Sequence, residues 1–431
     1  VRPGTDDALA LATASELDRL GLIDQAFCDR HSDGAQQFLD AAAAWTTRRA
    51  ASVCGIDAGS ITAFAELVGT RSPAMLRIGW GMERNRNGHS AIRAALGLWV
   101  LAGNFSERGA GVIASTSSAA DHDTLPDLAD ARTPARVLNM NRIGDDLLHA
   151  DPPIRVLFVQ GANPAVMAPD QRKVLDGLAR EDLFTVVHEQ VMTDTAAMAD
   201  IVLPATTYFE HGDDVAVGYG AYAASPIRQV IAPVGESWTN SQVAAGLADA
   251  LGIDGYQPDQ VPPPPVPTTA QSTRPHGTVQ FGDAADPAST HPDGGRARLM
   301  LGPGSDPVPQ HRPLASPFPL ALLTPATTKT INSMFGEYDP PAAVVTLHPD
   351  DASERAIVDG AKVRVFNDRA ELVLRAKVDT SVRPGVVVIP KGLWRRQLAG
   401  GLSANALVPD DVEHSIGGAV FSDARVDVAP I

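Results

Sequence analysis

Four short loops carry the residues with the widest chemical reach. Gln160-Gly161-Ala162-Asn163-Pro164 follows the apolar run Val156–Val159, and His188-Glu189-Gln190 follows Phe184–Val187, with Thr193 and Thr195 close behind. Pro204 and then Glu210-His211-Gly212 follow Ile201–Leu203, while Gly79-Trp80-Gly81, Arg84, Asn87 and Gly88 follow the run that starts at Met75. Glycine lets a backbone approach a ligand closely. Thr and Asn offer hydroxyl and amide hydrogen bonds, and a carboxylate can accept from a guanine or ribose edge. Such a set suits a nucleotide. For any one loop ordinary turn chemistry is the commoner explanation, because Gly, Asn and Pro are turn residues anywhere. The four together, expected on one edge of one sheet, argue for a ligand.

Other chemistries find little footing. No G-x-G-x-x-G run marks a dinucleotide fingerprint of the usual kind. The eleven His form no H-x-x-x-H or H-E-x-x-H pair for zinc, and no G-x-S-x-G elbow is present. Cys28 and Cys54 are the two cysteines, too distant for a CxxC site and too few for an iron–sulfur cluster or a disulfide framework; they read as small buried residues. Thr5-Asp6 stands before the helical run Ala8–Leu20 and reads first as an N-cap, although free N–H donors there also suit a ligand group.

These loops need strands to hold them. The chain has 431 residues, 44% of them hydrophobic, enough for two or three domains with cores. Short apolar strands alternate with helical patterns up to about residue 256, the mark of a parallel sheet with crossover helices. The candidate strands are Met75–Gly79, Val156–Val159, Phe184–Val187 and Ile201–Leu203. One helix is opened by Pro169 and carries Val174, Leu175 and Leu178 on one face; another runs from Ser90 to Leu101. In such sheets ligands bind beyond the carboxyl ends of the strands.

From Gln257 to about Pro319 the sequence is rich in Pro, Gly, Asp and Thr, including Pro262-Pro263-Pro264-Pro265, and reads as an extended connection or a disordered surface insertion. The period then changes to two. Lys362–Phe366 and Glu371–Val378 alternate, and Gly385–Ile389 is a continuous Val/Ile run. With a short helix near Asp350–Arg355, this reads as a compact β-barrel. The expected division is an α/β domain over 1–133, a second over 134–256, a linker or insertion over 257–318, and the barrel over 319–431.

The net charge of −16 argues against a nucleic-acid surface. Phosphate stays open to it, because local N–H groups and a few Arg bind phosphate whatever the global charge. The longest apolar run, Ala91–Ala102, is broken by Arg93 and Gly97 and falls short of the roughly 20 residues a membrane span needs. No signal peptide is visible, which favours a cytoplasmic setting; a chain that opens on Val1 leaves an upstream targeting segment open.

Taken in order, Gly161-Ala162-Asn163-Pro164, then Val186-Val187-His188-Glu189 with Thr193 and Thr195, then Ala199-Asp200 to Pro204 with Glu210 and Gly212, form a ladder. It resembles the molybdopterin oxidoreductases of the dimethyl-sulfoxide-reductase type. Pro3-Gly4-Thr5-Asp6-x-Ala8-Leu9 fits the same pattern, as does Gly79-x-Gly81 through Asn87-Gly88 to Gly103-Asn104. Towards the C-terminus, Leu323-Thr324 through Asn332-Ser333, Asp351-Ala352, Val358-x-Gly360, Pro384-Gly385-Val386 and Asn405-x-Leu407 resemble the family's dinucleotide-binding domain. The resemblance covers nearly all of the chain outside the linker.

It implies an α/β fold in which parallel-sheet dinucleotide-binding domains precede a double-psi β-barrel. It implies molybdenum or tungsten on two molybdopterin guanine dinucleotides, and a two-electron reaction of oxygen-atom-transfer type on a small-molecule substrate. By position, Gly4, Thr5 and Asp6 would grip one dinucleotide, and Gly81 and Arg84 would approach the pterin end. Gly161, Asn163, His188, Glu189, Thr193, His211 and Asn240 would surround the second dinucleotide, with Glu189 on the guanine edge. Thr324 to Ser333 would run along the cofactor, and Trp394 and Asn405 would close over it. A 4Fe–4S cluster and the metal-ligating Cys, selenocysteine, Ser or Asp are expected only upstream of Val1, so no residue here is assigned as a metal ligand.

An electron-transfer partner of iron–sulfur or flavin type is implied as well. The stretch Val112–Ser118 lacks the Arg that orients formate in formate dehydrogenases, which turns expectation away from formate; Ser115–Ser118 is where substrate choice is expected. The rival readings are a non-catalytic scaffold like the large iron–sulfur subunit of respiratory complex I, and a truncated product that folds without activity.

Overall fold

The computed structural model describes residues 1–106, 109–113, 136–212, 215–217, 224–253, 296–302 and 305–431. Around one Ala-rich helix, α1 (Asp6–Leu20), the first unit assembles. Ala8, Ala10, Ala12 and Ala14 are all buried and keep α1 thin. The units that follow it are α2 (Gln25–His31), β1 (Ser32–Asp33), α3 (Ala35–Ala42), α4 (Thr47–Cys54) and α5 (Ala58–Thr70). Next come β2 (Met75–Arg77), α6 (Trp80–Glu83), α7 (Gly88–Leu101) and β3 (Gly111–Ile113). Leu11 and Leu17 pack in a core with Phe27, Phe38, Ile61 and Leu101. Gly97 is what lets α7 approach α3: a Cβ there would sit 2.6 Å from the Phe38 ring. Thr5 occupies the N-cap position of α1 but does not cap it; its hydroxyl donates to the Arg2 carbonyl at 2.7 Å instead.

The second unit runs α8 (Ile143–His149), β4 (Val156–Gln160), α9 (Pro164–Met167), α10 (Gln171–Leu178), β5 (Phe184–Glu189), β6 (Ile201–Pro204), β7 (Val215–Val217), β8 (Ala224–Pro226) and α11 (Asn240–Ala250). Strands β4, β5 and β6 form a parallel three-stranded sheet in which Gln160, His188 and Leu203 are in register. Leu147, Ala165, Val174, Leu178 and Leu183 make one core, and Val159, Val187 and Ala196 another. The helix expected from Pro169 starts two residues later. Asp170 takes a φ of 45° while its N–H donates to the Val408 carbonyl at 2.9 Å, a contact no local pattern announces.

Among the described residues the single sheet expected to gather all four loops is not formed. β2 pairs in parallel with β3 in a separate two-stranded sheet, so its loop lies on a different rim from those of β4, β5 and β6. Strand type was legible from apolar runs, but pairing is a long-range choice that those runs do not carry.

The connection expected over 257–318 is also more ordered than its composition implies where the structure describes it. β9 (Ala297–Arg298) pairs in parallel with β1, Leu299 is buried in the first core, and Arg93 donates to the carbonyls of Asp306 and Pro307 at 2.8 Å each. Backbone pairing and Arg–carbonyl bonds need no apolar period, which is why composition missed them. Pro262–Pro265 lie outside the described residues.

The C-terminal unit is a closed six-stranded barrel in the order β10-β14-β11-β13-β12-β15. Its strands are β10 (Leu320–Leu323), β11 (Val344–Leu347), β12 (Lys362–Phe366), β13 (Glu371–Val378), β14 (Val386–Val388) and β15 (Arg425–Pro430), with α12 (Pro349–Glu354) after β11. Burial alternates as the period-two pattern requires: Val363 and Val365 point inward from β12, and Leu372, Leu374 and Ala376 from β13. Closure leaves no free strand edge. Two pairs, β10 with β14 and β11 with β13, are parallel.

The barrel is fastened to both other units. Asn405 donates to the carbonyls of Val166 and Met167 at 3.0 and 2.7 Å, and the Ser403 hydroxyl donates to Val166 as well. Lys173 meets Asp410 at 2.7 Å and Arg369 meets Asp170 at 3.0 Å. On the other side Arg86 pairs with Asp423 at 2.8 Å. No single helix among the described residues is long and apolar enough to cross a membrane.

Gly97→Ala would force its methyl into the Phe38 ring. A loss of about 1–3 kcal/mol of stability is expected from such overpacking, read as a lower urea midpoint at unchanged slope; an unchanged midpoint would mean the helices separate freely.

Candidate functional site

The rim beyond β4, β5 and β6 is built from loops that bond to one another. Gly161 takes a φ of 56°, with nothing within 4 Å of the position a Cβ would occupy, so its loop offers open space. Asn163 is 6% exposed, and its side-chain oxygen accepts from the Thr195 hydroxyl at 2.7 Å and the Thr195 N–H at 3.2 Å. Its amide nitrogen Nδ2 is buried with no partner. Thr195 in turn accepts from the Ala165 N–H, and Thr193 accepts from the Ala196 N–H, so both hydroxyls shape the loops.

His188 is 1% exposed, with Nε2 3.2 Å from the Trp238 carbonyl. A carbonyl only accepts, so Nε2 carries the proton and Nδ1 is left as an acceptor. That Nδ1 is buried and has no partner. Glu189 is half-buried, and one of its oxygens accepts from the Gln190 N–H at 2.8 Å. Asn240 opens α11, whose capping box is Thr239 with Gln242, and accepts from Gln160 at 3.0 Å. His211 stands farther out and stacks on the exposed Tyr208 ring at 6.4 Å. Between them Glu210 folds the loop by accepting from the Thr207 hydroxyl, the Thr207 N–H and the Val234 N–H, each at 2.7 Å. The Thr207 hydroxyl first, then the two N–H donors, hold its carboxyl below the usual range.

On the first unit, Gly4 has a φ of 78°, and its carbonyl accepts from Asn87 at 3.0 Å. Asp6 begins α1, and burial raises its pKa. Gly81 is exposed, with open space at its Cβ position. Arg84 is half-buried between the rings of Phe421 and Trp80, at 5.2 and 5.6 Å. Burial lowers its pKa, and the neighbouring Glu83 charge opposes that shift in part.

On the barrel, Thr324 directly follows β10 and Ser333 lies in the loop beyond it. Trp394 is 1% exposed; its indole N–H donates to the Ser333 carbonyl at 2.7 Å, and its ring fills the space a Cβ on Gly336 would need. Trp394 and Asn405 therefore hold loops in place, and their polar donors face protein carbonyls.

Two groups escaped the sequence. His311, from the supposed linker, places Nδ1 2.9 Å from the buried Asp7 carboxylate and packs edge-on to Trp45. Lys391 follows β14 and is half-buried near Arg84, where burial first and the Arg84 charge second lower its pKa. A Lys beyond a strand of the barrel was a signal available in principle; its neighbour was not. Among the described residues no group of three or more His, Cys, Asp or Glu is placed to hold a metal ion. Ser115–Ser118 lie outside the described residues.

Residues 1–250 match the family model described as molybdopterin oxidoreductase, and residues 321–424 match the one described as molydopterin dinucleotide binding domain. The chain is 34% identical to the probable oxidoreductase YoaE of Bacillus subtilis (strain 168), over 100% of this chain and 67% of that protein. It is 27% identical to the dimethyl sulfoxide reductase DmsA of Escherichia coli (strain K12), over 91% of this chain and 60% of the reductase. Among solved structures, acetylene hydratase from Pelobacter acetylenicus shares the fold, with a TM-score of 0.81 at 21% identity over 100% of this chain and 71% of that one. The chain thus spans between 60% and 67% of the length of these two curated relatives.

Because Glu210 has a depressed pKa, its contribution is present above the ordinary carboxyl value and lost as pH falls through the folded one. The stability gap between the native protein and Glu210→Gln is therefore expected to be constant above about pH 5 and to shrink below about pH 4, measured by urea titration across pH; a gap independent of pH would show that the charge contributes nothing.

Proposed function

The chain belongs to the molybdopterin oxidoreductases, and we propose that its two α/β rims and its barrel clasp the family's cofactor for a two-electron, oxygen-atom-transfer type reaction on a small molecule. That cofactor is molybdenum or tungsten on two molybdopterin guanine dinucleotides, and when bound it supplies the redox chemistry. The chain's own residues supply position, charge and exclusion of water.

One observation carries the reading: Asn163 Nδ2 and His188 Nδ1 are buried at the strand-end rim without partners. Leaving a buried polar group unpaired costs about 1–3 kcal/mol, a cost a bound ligand removes. The two atoms differ in kind, a donor and an acceptor, as a ligand with both amide and phosphate or ribose functions requires. Glu189 would take the N–H edge of a guanine, with Gly161, Thr193, His211 and Asn240 around it. Gly4, Thr5, Asp6, Gly81 and Arg84 would meet the other dinucleotide, and the loop from Thr324 to Ser333, braced by Trp394 and Asn405, would lie along the cofactor. A non-catalytic scaffold has no use for these unpaired atoms, so the enzyme is the reading they favour. Electrons would come from or go to an iron–sulfur or flavin partner.

The full-length protein, expressed with molybdate, is expected to contain molybdenum or tungsten and to release guanine nucleotide in molar excess over the metal on acid hydrolysis. Asn163→Ala should lower the nucleotide content while the fold, followed by circular dichroism, persists. Finding neither metal nor nucleotide would return the chain to the scaffold reading.

A further inference from the structure

We propose that His311 is a positioning residue: through Asp7, and with Arg312 acting through Asn87, it fixes the turn at Gly4 that leads into α1. That this turn serves the cofactor rests on the function proposed above; the positioning itself rests on hydrogen-bond geometry.

The turn has few bonds of its own. Gly4 has a φ of 78°, and Thr5 leaves the N-terminus of α1 uncapped because its hydroxyl turns to the Arg2 carbonyl. Asp7, in the first turn of α1, is fully buried. Its Oδ1 accepts from the Ala8 N–H at 2.8 Å and lies 2.9 Å from His311 Nδ1. Its Oδ2 is buried with no partner. His311 is thus the only side chain among the described residues that bonds the Asp7 carboxylate, and an enclosed acid is costly without such a donor.

Nδ1 carries the proton, because a carboxylate oxygen only accepts. Asn87 Nδ2 also stands 3.3 Å from Nδ1, but its two hydrogens are taken by the carbonyls of Gly4 and Arg312, each at 3.0 Å. Two adjacent residues therefore reach the turn by two routes. Arg312 gives its N–H to Asn87 Oδ1 at 2.9 Å, and Asn87 passes the constraint to the Gly4 carbonyl. His311 acts on Asp7 directly, across 304 residues of sequence. The turn is held at both ends.

The segment that holds it is itself seated. Arg93 of α7 donates to the carbonyls of Asp306 and Pro307 at 2.8 Å each, and Arg312 pairs with Asp306 at 2.8 Å. The His311 ring stands edge-on to the buried Trp45 ring, with centroids 5.6 Å apart. The position asks for a planar ring on one side and an N–H donor on the other. Histidine supplies both.

The test is hydrogen–deuterium exchange on the full chain, with guanine nucleotide content measured in parallel on protein expressed with molybdate. His311→Phe keeps a ring against Trp45 and removes the donor, and His311→Ala removes both. His311→Asn restores the donor, since its amide nitrogen stands as many bonds from Cα as Nδ1 does. Amide exchange over Gly4–Leu9 is expected to rise about tenfold or more in the first two variants and to return in the third. Exchange in β12 and β13 should stay unchanged, and nucleotide content should fall and recover with the turn. The same exchange pattern with unaltered nucleotide content would uphold the positioning role and count against assigning this turn to a dinucleotide. Exchange over Gly4–Leu9 that is unmoved in both donor-less variants, as fast in His311→Asn as in His311→Phe, or raised equally in the barrel, would overturn it.

Discussion

Both hydrogens of the Asn405 amide are committed to the carbonyls of Val166 and Met167, and much of the molecule depends on that joint. It sets the barrel against the turn of α9, which directly follows Asn163. On the far side Arg86 and Asp423 set the same barrel against the stretch that carries Arg84. A long ligand with several charges has to be met by loops from all three units at once. If those loops were free, ordering them at the moment of binding would consume much of the interaction energy. Protein-only contacts at the joints do the ordering beforehand.

The joints also explain how the polar residues divide their labour. Thr193, Thr195, Glu210, Trp394 and Asn405 spend their hydrogen-bonding capacity on backbone groups, on Asn163 or on the Thr207 hydroxyl, and so shape the walls. Asn163 Nδ2 and His188 Nδ1 are held by those walls and left unpaired. Residue type alone does not separate a wall from a contact; the count of satisfied bonds does.

Electrostatics follow the same local logic. The chain is acidic overall, with a net charge of −16, yet the Arg84 guanidinium is held against the Trp80 and Phe421 rings. The acids are drawn off to Arg86, Lys173, Arg369 and Arg312 at joints and loops. What an incoming phosphate meets is set by the charges within a few ångströms, since screening removes the rest over about 8–10 Å.

By itself the sequence determined the elements. Val363 and Val365, then Leu372, Leu374 and Ala376, alternate with polar residues, and a two-residue period states a half-buried strand without reference to anything distant. Apolar runs closed by Gly161, His188 or Pro204 located the parallel strands and the loops beyond them for the same reason. Tertiary structure alone decided that β2 pairs with β3 and not with β4, that Leu299 and His311 of a Pro-rich stretch dock on the first unit, and that Asp170 bends to reach Val408. Periodicity is a property of neighbours along the chain, whereas pairing, desolvation and the meeting of two charges belong to neighbours in space.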